Sequence, residues 1–140
     1  MKWIQRSRML RRSLIGNAVF SGLSGILILI SGNFLSVLLG PEVPGNLSWI
    51  GYSLLLYTAS LIRSALRKNI VVQEVWTAIF LDVAWVAGTL ALVAPGRFNP
   101  AGNWVVLSTA GIVLLFAILQ HAGLRRLTGP ANSSSREVGT

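Results

Sequence analysis

Residues 70–95 read IVVQEVWTAIFLDVAWVAGTLALVAP, an apolar run long enough to cross a membrane, with a carboxylate, Asp82, at its centre. About 20 consecutive apolar residues suffice for a helix to span the hydrocarbon core of a bilayer. An ionisable group at mid-depth is costly there and normally faces other protein or water rather than lipid. The run therefore predicts a transmembrane helix whose Asp82 points towards neighbouring helices.

The composition of the whole chain is also that of a membrane protein. Of its 140 residues, 53% are hydrophobic and 11% are charged, whereas soluble domains carry about 25% charged residues. Long uncharged intervals on either side of the Asp82 run each accommodate one further helix. The predicted spans are residues 14–39, 48–66, 70–95 and 102–124. The predicted fold is all-α, an antiparallel bundle of four transmembrane helices within residues 14–127.

The basic residues fall almost entirely on one side of this bundle. Eleven of the twelve Lys and Arg residues lie before the first span, around the junction of the second and third, or after the fourth, and Arg97 lies on the other side. The positive-inside rule places the basic side, with both termini, in the cytoplasm. We therefore expect a multi-pass protein of the bacterial inner membrane, with a basic N-terminal segment at residues 1–13 and a disordered tail at residues 128–140.

Charge and residue usage limit the function. A net charge of +8 would indicate nucleic acid in a soluble protein, but membrane topology accounts for it, so no nucleic-acid binding is expected. The basic N-terminal segment instead favours contact with anionic lipid head groups. The chain has no cysteine, which excludes disulfides and thiolate metal sites. With a single histidine and no Ser, His and Asp set at one depth, we expect no metal, no cofactor and no enzymatic activity.

Short connections and small residues predict how the helices pack. Consecutive helices joined by short turns are expected to be antiparallel neighbours. Ser21-x-x-x-Gly25 and Ala84-x-x-x-Gly88 allow close backbone approach, so we expect the first and third spans to pack closely, with dimerisation as the alternative use. Residues 44–68 and 100–126 share a Gly/Pro loop, a tryptophan, a span and a basic end. That match favours two parallel-repeat hairpins, although the positive-inside rule alone produces much of it.

Polar residues at the depth of Asp82 form the first candidate site. Tyr57 lies at the middle of the second span and Ser24 near the middle of the first, and both are expected partners of the carboxylate. Trp85 is placed to stack on a cationic ligand or to fill the core. Two interpretations of Asp82 remain open: a proton- or cation-coupled transport site, or a buried hydrogen bond that holds helices together.

A second candidate cluster lies nearer the cytoplasmic side. Counting about 1.5 Å per residue from each helix midpoint gives four polar residues a similar depth: Asn17, Arg63, Glu74 and His121. We expect an ion pair between Arg63 and Glu74, with Gln120 or His121 hydrogen-bonding nearby. The alternative is that these side chains extend into head groups or water at the membrane boundary.

Three stretches carry a resemblance to a known group of proteins. They are GNAVFSGLSG at residues 16–25, LDVAWVAG at residues 81–88 and GLRRL at residues 123–127. With them the chain, to about Leu127, resembles a widespread group of small bacterial four-span membrane proteins without assigned function. The resemblance implies an inner-membrane bundle and no particular activity. The chain also has the size of small multidrug resistance exporters, but their essential glutamate lies in the first span, and residues 14–39 hold no acidic residue.

These observations favour a non-enzymatic inner-membrane bundle that acts as an accessory or interaction subunit, either as a homodimer or with a larger membrane-protein partner. The alternative is a small proton- or cation-coupled transporter or channel-like protein centred on Asp82. In that alternative, Tyr57 and Trp85 line the path and Glu74 with Arg63 forms an inner gate.

Overall fold

The computed structural model describes residues 2–41 and 46–129, with side chains from residue 7 onward, and places them in four α-helices. Helix α1 covers Lys2–Leu39, α2 Ser48–Leu66, α3 Val72–Val93 and α4 Pro100–Thr128. The bounds of α2 coincide with the predicted span, and those of α3 and α4 differ by a few residues. Helix α1 begins well before its predicted start. The centre of the first loop, at residues 42–45, and the predicted tail beyond residue 129 lie outside the described residues.

Local sequence explains where the helices bend and end. Helix α1 bends at Ser31, where φ is −117° and ψ is 21°, and the following Gly32 is a residue type that tolerates such a break. Gly96 adopts a φ of 72° shortly after α3, a left-handed conformation that glycine adopts without strain. Pro100 opens α4, where its missing N–H would have had no helical partner.

The helices pack in the order α2, α1, α4, α3, and the bundle is open between its first and last members. Helices α2 and α3 are consecutive in the chain, but their backbones make little contact, and the backbones of α1 and α3 make none. The prediction of close packing between the first and third spans is therefore wrong. Consecutive helices were expected to be antiparallel neighbours, and for α2 and α3 the backbones make little contact.

The positions of the glycines explain this order. Gly25 and Gly51 face each other where α1 crosses α2, and a Cβ added to Gly51 would lie 2.7 Å from Cγ of Leu29. Gly25 of the Ser21-x-x-x-Gly25 pair thus contacts α2 rather than α3. A Cβ added to Gly88 would meet nothing within 4 Å, so the second small-residue motif lies on the outer surface of α3.

We call the end of the bundle where α1 begins and α4 ends the basic end. There Arg11 donates from its guanidinium to the carbonyl oxygen of Ala65, and at 2.8 Å to that of Lys68. Carbonyls at a helix C-terminus lack intrahelical partners, so Arg11 ties α1 to the last turn of α2. At the opposite end, the backbone N–H of Asn99 donates to the carbonyl of Leu39 at 2.9 Å.

The bundle is apolar outside and partly polar inside. Large apolar side chains are exposed on every helix, including Ile30, Leu56, Phe80 and Ile118, far more than the single apolar patches typical of soluble monomers. Ser7–Leu39, Val72–Val93 and Pro100–Thr128 are each long and apolar enough to cross a membrane. These features indicate a membrane protein. Helix α2, shorter and richer in hydroxyl groups, is not among the three.

Candidate functional site at Asp82

Asp82 is 3% exposed and accepts hydrogen bonds from two other helices. Nδ2 of Asn17, in α1, donates to Oδ2 of Asp82 at 2.7 Å. The hydroxyl of Tyr57, in α2, donates to Oδ1 at 2.8 Å. One carboxylate in α3 is thus bound on both oxygens, by two helices whose backbones make little or no contact with α3.

Asn17 organises the rest of this group, which we call the Asp82 cluster: Asn17, Ser21, Tyr57 and Asp82. The Asn17 amide nitrogen also lies 3.3 Å from the Tyr57 hydroxyl, and its Oδ1 accepts from Ser21 at 3.2 Å. Asn17 itself has no exposed surface. Since buried polar atoms are costly unless they are hydrogen-bonded, these contacts allow a polar cluster to sit in an apolar bundle.

The structure brings some of the predicted residues together and places others elsewhere. Tyr57 binds Asp82 as expected. Ser24 lines a nearby cavity, but the carboxylate is bound by Asn17, which the depth count had assigned to the other cluster. That count treated residues 14–39 as one straight span, whereas α1 starts at Lys2 and bends at Ser31. The spacing of Asn17, Ser21 and Ser24, at i, i+4 and i+7, was the signal of a polar helix face.

A cavity of about 240 Å³ lies beside Asp82, on the side away from the basic end. All four helices contribute to its wall, which is mainly apolar and includes Phe20, Trp49, Trp85 and Val113. Its polar side chains are Ser21, Ser24, Ser53, Tyr57, Asp82 and Thr109. We call it the outer cavity. Its aromatic side chains and single carboxylate could accommodate a small cation with an apolar body.

A cleft of about 440 Å³ runs from the Asp82 cluster towards the basic end, between α2 and α3. We call it the lateral cleft. Ser53, Ser60 and Thr77 line it and are exposed. Tyr57 and Leu81 line both the lateral cleft and the outer cavity, so the Tyr57–Asp82 hydrogen bond lies between the two spaces.

The second predicted cluster is present in altered form at the basic end of the lateral cleft. Glu74 lies 3.8 Å from Arg63, the predicted partner, and closer, at 3.3 Å, to Arg67. Ser64 donates to the other carboxylate oxygen at 2.7 Å. Arg67 and Ser64 were not predicted, although their positions beside the turn between α2 and α3 placed both within reach. These contacts join the two helices where their backbones diverge.

His121 and Gln120 do not join Glu74. The His121 ring meets Trp76 edge-on, with centroids 5.5 Å apart, between α3 and α4. Gln120 has no exposed surface, and neither its amide nitrogen nor its oxygen has a hydrogen-bond partner among the described residues. Residues 2–41 and 46–129 contain no group of three His, Cys, Asp or Glu side chains placed to hold a metal ion.

The Asp82 cluster can hold a proton or a cation, or can simply join helices. Each carboxylate oxygen accepts one hydrogen bond, which leaves lone pairs for a further donor. The ion pairs among the described side chains all involve Glu74, so no Lys or Arg in that part of the chain balances the charge of Asp82.

No protein-family model matches this chain, and no match was found among curated proteins or solved structures.

Proposed function

We propose that this chain is a non-enzymatic four-span protein of the bacterial inner membrane that acts as an interaction subunit. Its lateral cleft would receive a transmembrane helix of another membrane protein. The observation that carries this proposal is the opening between α2 and α3. Polar side chains bridge it, and no helix among the described residues covers it.

Four spans, rather than three, are supported by the packing of α2 on α1. Residues 51 to 65 of α2 run back along residues 29 to 11 of α1, from the Gly51–Leu29 contact to the Ala65–Arg11 hydrogen bond. A helix that follows a membrane span over this length crosses the same depth, whatever its own hydropathy. The basic end then faces the cytoplasm, together with both termini, by the positive-inside rule.

The chemistry of the lateral cleft favours a helix over lipid as its occupant. Ser53, Ser60 and Thr77 each donate to a carbonyl of their own helix, at 2.8 Å, 3.2 Å and 3.0 Å. Their hydroxyl oxygens keep lone pairs that can accept from an incoming donor. Lipid tails offer no such donors, whereas helices in membranes associate through small residues and interhelical hydrogen bonds. The expected partner is therefore a helix with Ser, Thr, Asn or Gln on one face.

Site-specific photo-crosslinking tests this proposal. A photoreactive residue placed at Ser60 or Thr77 in the full-length chain should give one discrete crosslinked product containing a second membrane protein. The same residue at Ile118, an exposed position on α4, is the matched control and should not. Equal crosslinking at all three positions would contradict the proposal. A product that contains two copies of this chain would make a homodimer the occupant instead.

A small proton- or cation-coupled transporter is the second candidate, because Asp82 lines the outer cavity and its partner Tyr57 lines both that cavity and the lateral cleft. Carboxylates that face a cavity within the membrane are typical of proton and ion pathways. Purified protein in liposomes distinguishes the two functions. Transport is favoured if the protein carries out coupled flux and Asp82→Asn abolishes it. The interaction subunit is favoured if there is no flux and the Ser60 crosslink still forms in Asp82→Asn.

A further inference from the structure

A groove of about 470 Å³ between α1 and α4 at the basic end is separate from the Asp82 cluster and from the lateral cleft. Its walls combine cationic and apolar side chains: Arg8, Met9, Arg12, Ser13, Phe116 and Leu119. Neither the interaction function nor the transport alternative uses this groove.

The charge of the groove is not balanced by the protein. Arg8 and Arg12 are four residues apart, so both lie on one face of α1, and both are exposed. The acidic side chains that the structure describes, Glu74 and Asp82, are engaged elsewhere. A third guanidinium stands at the edge, since Nη1 of Arg126 lies 3.3 Å from Sδ of Met9.

The face of α1 that carries these arginines becomes apolar one turn further on. Ile15 and Val19 continue the line from Arg12 at helical spacing, and both are exposed. Phe116 of α4 lines the groove and packs close to Gly16 of α1, where an added Cβ would lie 3.0 Å from its ring. The surface thus offers two cations at the basic end and an apolar track leading away from it.

We infer that this groove binds an anionic phospholipid, with its phosphate between Arg8 and Arg12 and an acyl chain along Ile15 and Val19. Guanidinium groups bind phosphate oxygens through paired, charge-assisted hydrogen bonds. Basic pockets between transmembrane helices at the cytoplasmic boundary suit such head groups. The inference rests on the membrane placement proposed above but is independent of what fills the lateral cleft.

Lipid titration of the full-length protein in a neutral detergent tests the inference. Native mass spectrometry should show phosphatidylglycerol bound at concentrations where phosphatidylcholine is not. The double variant Arg8→Gln/Arg12→Gln should bind phosphatidylglycerol about 25-fold more weakly, since each basic residue near an anionic surface contributes roughly a factor of five. The matched control, Lys68→Gln/Arg125→Gln, removes the same charge from the same end outside the groove and should bind as the parent does.

Three results would overturn the inference. The first is that the parent protein binds the two lipids equally well. The second is that the control variant loses as much affinity as the groove variant, which would indicate general electrostatic attraction. The third is that inorganic phosphate displaces phosphatidylglycerol at equal concentration, which would make the groove a site for free anions. Circular dichroism reports whether the variants are folded. The Ser60 crosslink tests the partner proposal separately from the lipid.

Discussion

Asp82 joins α3 to two helices whose backbones make little or no contact with it. Its two hydrogen bonds connect α3 to Asn17 of α1 and Tyr57 of α2, across the open side and the diagonal of the bundle. A carboxylate at the centre of a span costs about 2.5 to 3.5 kcal/mol on insertion scales. Interhelical hydrogen bonds offset part of such a cost, because they satisfy the polar atoms that lipid cannot. Asp82 therefore has a structural role whatever its function.

We predict that Asp82→Leu lowers the free energy of unfolding by about 1 to 3 kcal/mol, because it removes two interhelical hydrogen bonds. The buried Asn17 amide then keeps only its longer contact, at 3.3 Å, with the Tyr57 hydroxyl. Asp82→Asn should cost less than about 1 kcal/mol. The new amide oxygen can accept from Asn17, and the Tyr57 hydroxyl can turn to accept from the new amide nitrogen. Unfolding by SDS in mixed micelles, followed by tryptophan fluorescence, measures the difference.

Tyrosine variants provide the control for these measurements. Tyr57→Phe removes one of the two bonds to Asp82 and should fall between the aspartate variants, whereas Tyr52→Phe alters an exposed tyrosine and should change nothing. If Asp82→Leu were as stable as the parent protein, the carboxylate would not hold the helices together, and the presence of an acid in the core would need the transport function as its explanation.

The sequence was sufficient to pair Asp82 with Tyr57, because an isolated acid in an apolar run and a tyrosine at equal depth can be recognised without coordinates. Asn17 was assigned to the wrong cluster. Depth counted along the chain assumes straight helices of known limits, and α1 is neither straight nor limited to residues 14–39. Which side chains meet across a bundle depends on bends and rotations of whole helices, which local sequence does not specify.

At the scale of the elements, helix bounds were predictable and helix neighbours were not. Charged residues and Gly/Pro loops mark where spans end, and the limits predicted from them for α2 match the observed ones. Small residues indicate that a helix has a close partner but do not identify it. The Gly25 surface of α1 met Gly51 of α2, while the equivalent motif around Gly88 met no other helix. Short turns kept α2 and α3 antiparallel without bringing their backbones together.

The crossing of α1 and α2 gives the next prediction. Gly51→Ala should lower the free energy of unfolding by about 1 to 3 kcal/mol, because overpacking forces close neighbours apart. The added methyl group would lie 2.7 Å from Cγ of Leu29 and 3.0 Å from the carbonyl oxygen of Gly25. Gly88→Ala, where a Cβ meets nothing within 4 Å, should leave stability unchanged or slightly raised. Equal effects of the two variants in SDS unfolding would show that α1 and α2 do not cross closely.

At the scale of the whole molecule, the bundle is open on one side and has three regions of different polarity. Its interior holds the Asp82 cluster, and the lateral cleft between α2 and α3 carries polar side chains. The groove between α1 and α4 is basic at one end and apolar beyond it. A bundle made for stability alone would close this gap with apolar contacts. Surfaces that differ in polarity instead suit different occupants: a protein helix on one side and a lipid on the other.

All of these proposals depend on the orientation of the bundle in the membrane, which gives the last prediction. Because the chain has no cysteine, single cysteines can be introduced without background. In intact bacterial cells, a membrane-impermeant maleimide should label Asn46→Cys and Ala101→Cys, which lie opposite the basic end of the bundle. Asn69→Cys, in the turn between α2 and α3, should react only after permeabilisation. Labelling of Asn46→Cys and Asn69→Cys from the same side would mean that α2 does not cross. Its packing along α1 would then have to form outside the bilayer, where the exposed Leu56, Ile62 and Leu66 would face water.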